Sequence, residues 1–308
     1  MLTCLLLLLS SSLFAVQFCI NKFFQLYKPP GNASSALFAL FGKVAAVVVF
    51  FFCVLLSGTT FWENGYTVLA GVAQAFLNLA VTVIGVYALN IGSVGMYTVS
   101  MMIGGMAVPA VFGACFLGEK VTVTRVAAFF LIAVAIVLSA KGEKKKLTRK
   151  AVLFYAALFF CNGFMGVFTA LHTNIWGKDV NDFTFMFVTS TAAAVCYLPA
   201  WLFLRRKEIR RTETATVSPL DSTLSPRRKT LYFLLPFLFG VLNGVANLFI
   251  VVGTADAAIG SVVSFPLVTG GTILFTSLLS HLLYGEKTDW KTLVGNALIM
   301  VALIIFVL

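Results

Sequence analysis

The chain has 308 residues, 60% of them hydrophobic and 11% charged, and its mean hydropathy is +1.00. A soluble domain carries roughly 25% charged residues, so lipid rather than water must solvate most of this chain. The net charge of +11 sits mainly in two loops between apolar runs; that is the positive-inside pattern of a membrane protein, and it argues against a nucleic-acid partner.

A bilayer-crossing helix needs about 20 mostly apolar residues. Ten runs qualify: 2–20, 35–57, 66–89, 93–116, 123–140, 151–172, 183–204, 231–253, 258–284 and 289–308. The expected fold is an all-α polytopic membrane protein with ten transmembrane helices. The first run lacks a basic n-region, since its first lysine is Lys22, and it is read as an uncleaved span rather than a signal peptide. It carries Gln17, with Asn21 beyond it. Cys4, Cys19, Cys53, Cys115, Cys161 and Cys196 lie in or beside apolar runs without a CxxC pair. They read as small buried or lipid-facing residues, with no disulfide framework, no metal site and no cofactor.

The second run contains Lys43. A lysine at mid-bilayer costs about 2.5–3.5 kcal/mol on insertion scales. Either it snorkels to an interface, or it faces a cavity and binds an anionic group. The third run holds Gln74 and Asn78, four residues apart on one helical face. The fourth holds Tyr97, Gly104, Gly105, Gly113 and Pro109, and the ninth holds Ser264, Pro266, Gly270 and Gly271. The two prolines do not stand at equivalent places, so they are not a symmetric hinge. The sixth run carries Asn162 and ends at His172. Lys141–Lys150 is a basic connecting loop, and 205–229 is a polar, flexible loop with basic tracts at both ends.

The third run returns in the eighth. Gly71–Leu79, GVAQAFLNL, recurs 169 residues later as Gly240–Leu248, GVLNGVANL, with Asn243 and Asn247 opposite Gln74 and Asn78. Ile91-Gly92-Ser93-Val94 returns as Ile259-Gly260-Ser261-Val262, and Gly118-Glu119-Lys120 as Gly285-Glu286-Lys287. Three matches in order at nearly constant offset indicate an internal duplication. The expected domains are a five-helix repeat over 2–140 and a second over 151–308.

Charge sets the expected topology. The odd-numbered loops hold eighteen Lys and Arg and the even-numbered loops three, so the odd loops, including 141–150 and 205–229, are assigned to the cytoplasm and both termini to the outside. Five spans per half is an odd number, so the repeats insert with opposite orientation, a recurring plan of secondary transporters.

Two five-helix repeats, each ending in a helix, a Gly-Glu-Lys turn and a last apolar helix, resemble the EamA repeats of the drug/metabolite transporter superfamily. The resemblance rests on Gly118-Glu119-Lys120-Val121 and on Phe265-Pro266-Leu267 through Gly285-Glu286-Lys287. It implies a carrier of small metabolites working by alternating access. It also implies a central cavity lined by the first, third and fourth helices of each repeat, which hold Gln17, Gln74, Asn78, Tyr97, Asn162, Asn243, Asn247 and Ser264. Glu119 and Glu286 match the family's helix-end glutamates and are expected to cap and join turns. The chain departs from small four-helix relatives in having Gln17 and no acid in its first helix.

The expected function is therefore a secondary transporter of a small polar metabolite such as an amino acid or sugar, in the plasma membrane, with substrate and bilayer as partners and a homodimer left open. The alternative for each amide is helix–helix hydrogen bonding, which averages about 0.6 kcal/mol in measured cycles. A flippase for a lipid or lipid-linked sugar would use the same fold. An intramembrane enzyme would need clustered His, Asp or Glu at membrane depth; His172, His281 and Asp256 stand apart in sequence, so no catalytic set is assigned.

Overall fold

The computed structural model describes residues 2–27, 32–62, 64–91, 94–139, 148–177, 179–213, 226–285 and 289–307. Within them the chain forms ten α-helices and no strand: α1 (Leu2–Tyr27), α2 (Asn32–Ser57), α3 (Gly65–Ile91), α4 (Val94–Phe116), α5 (Val123–Ser139), α6 (Arg149–Leu171), α7 (Asp182–Glu213), α8 (Pro226–Ala255), α9 (Gly260–Tyr284) and α10 (Trp290–Val307). Helices satisfy every backbone donor and acceptor within one segment, which lipid demands. Gly92, Ser93, Lys178, Glu286, Lys287 and most of the two basic loops lie outside the described residues.

Eight of the helices, all but α5 and α10, are long and apolar enough to cross a membrane. The chain has the build of an integral membrane protein. α5 has 17 residues and α10 has 18. At 1.5 Å rise per residue those lengths are roughly 26–27 Å, slightly under a hydrocarbon core of about 30 Å.

α2 packs on α7, α4 on α9 and α5 on α10; α1 packs on α8 and α9, α6 on α3 and α4, α8 on α2, and α7 on α3. The largest apolar cluster joins Leu7 of α1, Met106 of α4, Ile132 of α5, Leu267 of α9 and Ile299 of α10, all fully buried. Large side chains such as Phe52, Phe130, Phe203 and Leu282 face outward instead, where lipid tails solvate them at no cost. Without a hydrophobic drive between helices in lipid, small residues and hydrogen bonds hold the packing. Ser10 Oγ on α1 donates to the Ala246 carbonyl of α8 at 2.8 Å.

One face of the bundle is tied by Glu119, in the turn between α4 and α5. Its Oε1 accepts from the Ser261 amide at 2.8 Å and the Ser261 hydroxyl at 2.7 Å, and its Oε2 accepts from the Val262 amide at 2.7 Å. These amides begin α9, where the first N–H groups have no partner in the helix and favour negative charge. Arg125 on α5 adds bonds to the Lys120 and Ala258 carbonyls. At the α8–α9 turn, Asp256 accepts from Thr3 Oγ1 at 2.7 Å and from the Ala258 amide at 3.0 Å. The Thr3 hydroxyl first, and then that amide, hold the Asp256 carboxyl below the usual carboxylate range.

Glu119→Gln removes the charge and turns an N–H group toward the α9 amides. It is expected to lower stability by about 1–3 kcal/mol, read as an earlier thermal transition in detergent. Glu119→Asp, which keeps the charge on a shorter stem, should fall between the two.

Candidate functional site

Where the helices converge, a cavity of about 330 Å³ opens between them. Phe14 of α1, Lys43 of α2, Gln74 and Asn78 of α3, Asn162 of α6, Thr189 and Ser190 of α7, Asn243 and Asn247 of α8 and Phe265 of α9 are among its walls. That volume lies at the small end of ligand pockets.

The cavity gathers six of the nine residues singled out from the sequence: Lys43, Gln74, Asn78, Asn162, Asn243 and Asn247. The i, i+4 spacing on α3 and α8 turns both amides of each pair to the same space. The other three stand behind or beside the wall. Gln17 is 3% exposed and meets the cavity only through Asn243. Tyr97 packs in the apolar cluster of Val81, Tyr155 and Leu158. Ser264 is fully buried, and its hydroxyl has no partner among the described residues.

The polar walls form two chains of contacts. On one side Lys43 Nζ donates to Asn243 Oδ1 at 3.4 Å, and Asn243 Nδ2 donates to Gln17 Oε1 at 2.9 Å. Asn247 Nδ2 donates to the Asn243 backbone carbonyl at 2.7 Å. On the other, Gln74 Nε2 donates to Thr169 Oγ1 of α6 at 2.8 Å. The Tyr197 hydroxyl of α7 donates to Asn78 Oδ1 at 2.7 Å and lies 2.6 Å from Thr82 Oγ1. Asn162 Nδ2 donates to the Met101 carbonyl of α4 at 2.7 Å. The side-chain oxygens of Gln74, Asn162 and Asn247 accept nothing among the described residues, so the wall offers acceptors to a ligand's hydroxyl or amine groups.

Helix crossings set this geometry. A Cβ on Gly240 would stand 2.0 Å from the Gly42 carbonyl oxygen and 2.7 Å from Gly42 Cα. α8 and α2 therefore touch backbone to backbone, which brings Asn243 beside Lys43. Gly71 of α3, which matches Gly240 in the sequence, lies close to α7 in the same manner, with the Thr189 backbone 3.3 Å from its would-be Cβ. That crossing puts Gln74 across from Thr189 and Ser190.

The EamA resemblance does not count α7 among the lining helices. Met186, Thr189, Ser190 and Ala193 all face the cavity, and Tyr197 continues their 3–4 spacing. That spacing was the available signal, hidden by a run of β-branched and hydroxyl residues that reads as polar on every side. His172 was read as a residue at a helix end. It opens a π-turn, His172–Trp176, and is 1% exposed. Its ring stacks on Phe185 at 3.8 Å, and its Nε2 lies 3.0 Å from Thr67 Oγ1. The burial and the stacking account for it as a packing residue.

No family model matches the chain, and neither does any curated protein. Among solved structures, a crystal structure of a protein aligns with 98% of this chain and 95% of its own, with a TM-score of 0.69 and 13% sequence identity. At that identity the likeness shows the fold alone: the whole helical arrangement has a precedent of the same length.

Gly240→Ala forces its methyl into the α2 backbone, and the crossing must open. A loss of about 1–3 kcal/mol is expected, seen as a lowered thermal midpoint. Gly65→Ala, at a helical glycine whose Cβ would meet nothing within 4 Å, should leave the midpoint unchanged.

Proposed function

We propose that the protein is a secondary transporter of a small polar metabolite, working by alternating access between two inverted five-helix repeats, 2–140 and 151–308. The observation that carries this reading is the cavity to which α3 and α8 each supply a pair of amides at the same repeat positions. Polar groups that recur inside apolar helices mark a substrate path more readily than chance glue.

The packing is consistent with a two-fold relation. Exchanging each helix with the one five places on turns α1–α8 into α6–α3, α1–α9 into α6–α4 and α2–α8 into α7–α3, while α2–α7, α4–α9 and α5–α10 map onto themselves. The hydrogen bonds follow it: Gln74 of α3 reaches Thr169 of α6, and Asn243 of α8 reaches Gln17 of α1. Two half-structures of opposite orientation around one site can trade inward-open and outward-open forms, which is the physical basis of alternating access. In this reading α5 and α10 complete ten spans, both termini face outward, and the basic loops face the cytoplasm. The EamA-type resemblance fits this plan and stays part of the proposal.

Proteoliposomes containing the protein are expected to show counterflow: unlabelled solute inside drives uptake of the labelled solute from outside. Sugars, amino acids and organic anions form the panel. Asn78→Ala and Asn247→Ala should each slow uptake at least tenfold while the thermal midpoint moves by no more than a few degrees. Uptake untouched by both substitutions would return the amides to the role of helix glue.

A further inference from the structure

The cavity has one charged wall. Among the described residues, Lys43 is the one basic side chain that lines it, and no carboxylate joins it there. Snorkelling does not relieve that ammonium. Lys43 stands eleven residues after the start of α2 at Asn32, roughly 16 Å along the helix axis, which is about half the thickness of the hydrocarbon core. A lysine stem is too short to reach either interface from there. An isolated ammonium held away from water without a counter-charge is strongly unfavourable.

The amides beside Lys43 are polarised by it. An ammonium only donates, so Asn243 must turn Oδ1 toward Lys43 and Nδ2 toward Gln17. Gln17 must then present Oε1, and its own Nε2 is left buried without a partner among the described residues. A buried orphan donor costs about 1–3 kcal/mol. With a neutral residue at position 43 the Asn243 amide could reverse and accept from Gln17 Nε2. That reversal would leave Gln17 Oε1 rather than Nε2 without a partner, so the Lys43 ammonium decides which way the amides of this network point.

The opposite wall has different chemistry. Where the α2–α8 crossing presents Lys43, the α3–α7 crossing presents Thr189 and Ser190, with the Thr189 hydroxyl itself buried behind the wall. The free amide oxygens of Gln74, Asn162 and Asn247 add acceptors. One cation faces a wall of hydroxyls and amide oxygens with no acid.

We infer that the cavity takes a small hydroxylated monocarboxylate, its carboxylate on Lys43 and its hydroxyls on the amide oxygens and the Ser190 hydroxyl. This rests on the reading of the cavity as the substrate site. A single carboxylate makes the complex electrically neutral. A zwitterion leaves the charge of Lys43 uncompensated, and a neutral sugar leaves it unpaired.

The test measures binding to the purified full-length protein by thermal shift, with gluconate as probe, glucose as its neutral counterpart and glutamine as the zwitterion. A ligand of the folded state raises the midpoint with concentration over affinity. Gluconate is expected to bind at least tenfold more tightly than glucose or glutamine, as a charge-assisted hydrogen bond implies. Lys43→Met should weaken gluconate by tenfold or more and leave the unliganded midpoint equal or higher, because a half-buried charge without a counter-charge is gone. Lys43→Arg, which keeps the charge, should retain a preference for gluconate over glucose.

Gluconate binding no tighter than glucose or glutamine, including no binding at all, overturns the inference, as does gluconate affinity that survives Lys43→Met. The transport reading fails separately. Lys43-dependent gluconate binding without gluconate counterflow keeps the anion site and removes the transporter. Counterflow of glucose or glutamine that needs Asn78 and Asn247 but not Lys43 keeps the transporter and removes the anion site.

Discussion

The contact of Gly240 with Gly42 sets the polar centre of the molecule. The α2 backbone can come this close to α8 only because position 240 carries no side chain, and in lipid such contact replaces the hydrophobic drive that would hold the helices in water. The crossing places Lys43 one residue from the contact on α2 and Asn243 one turn from it on α8. From there the Asn243–Gln17 bond ties α8 to α1. A bulkier residue at position 240 would separate the groups that give the cavity its charge.

The second consequence is a division of labour around the cavity. Gln74 and Asn162 spend N–H groups on neighbouring helices, at Thr169 and the Met101 carbonyl, and Asn247 spends one on the Asn243 carbonyl of its own helix. Those bonds hold the walls together. Their carbonyl oxygens stay available, so the same side chains serve as structural ties and as acceptors. The helix-glue and substrate-site readings are thus not exclusive for these residues: an amide has two ends, and the structure uses them differently.

Away from the cavity, the polar contacts close helix ends. Glu119 supplies the α9 amides with the acceptor that a helix start lacks, and Asp256 does the same for the turn before it. Neither acid lines the cavity, which agrees with the structural role that Glu119 was expected to have from its place beside a turn. Glu119 and Asp256 thus work at helix ends, while Lys43 stands at the cavity.

The sequence by itself determined the helical class, the positions of the long apolar helices and the pairing of Gln74 and Asn78 with Asn243 and Asn247. Those are local properties: hydropathy over about 20 residues, and a spacing of four on a helix of 3.6 residues per turn. It could name Lys43 but left open whether that side chain pointed to an interface or inward. It ranked Gln17, Tyr97 and Ser264 alongside the true wall residues, because polarity in an apolar run carries no direction. It omitted α7, whose inward stripe of Met186, Thr189, Ser190 and Ala193 is mixed in chemistry. Only the tertiary structure decided these points. Which face of a helix meets a cavity depends on how its neighbours pack, and here that packing turns on glycines far apart in the chain, such as Gly42 and Gly240.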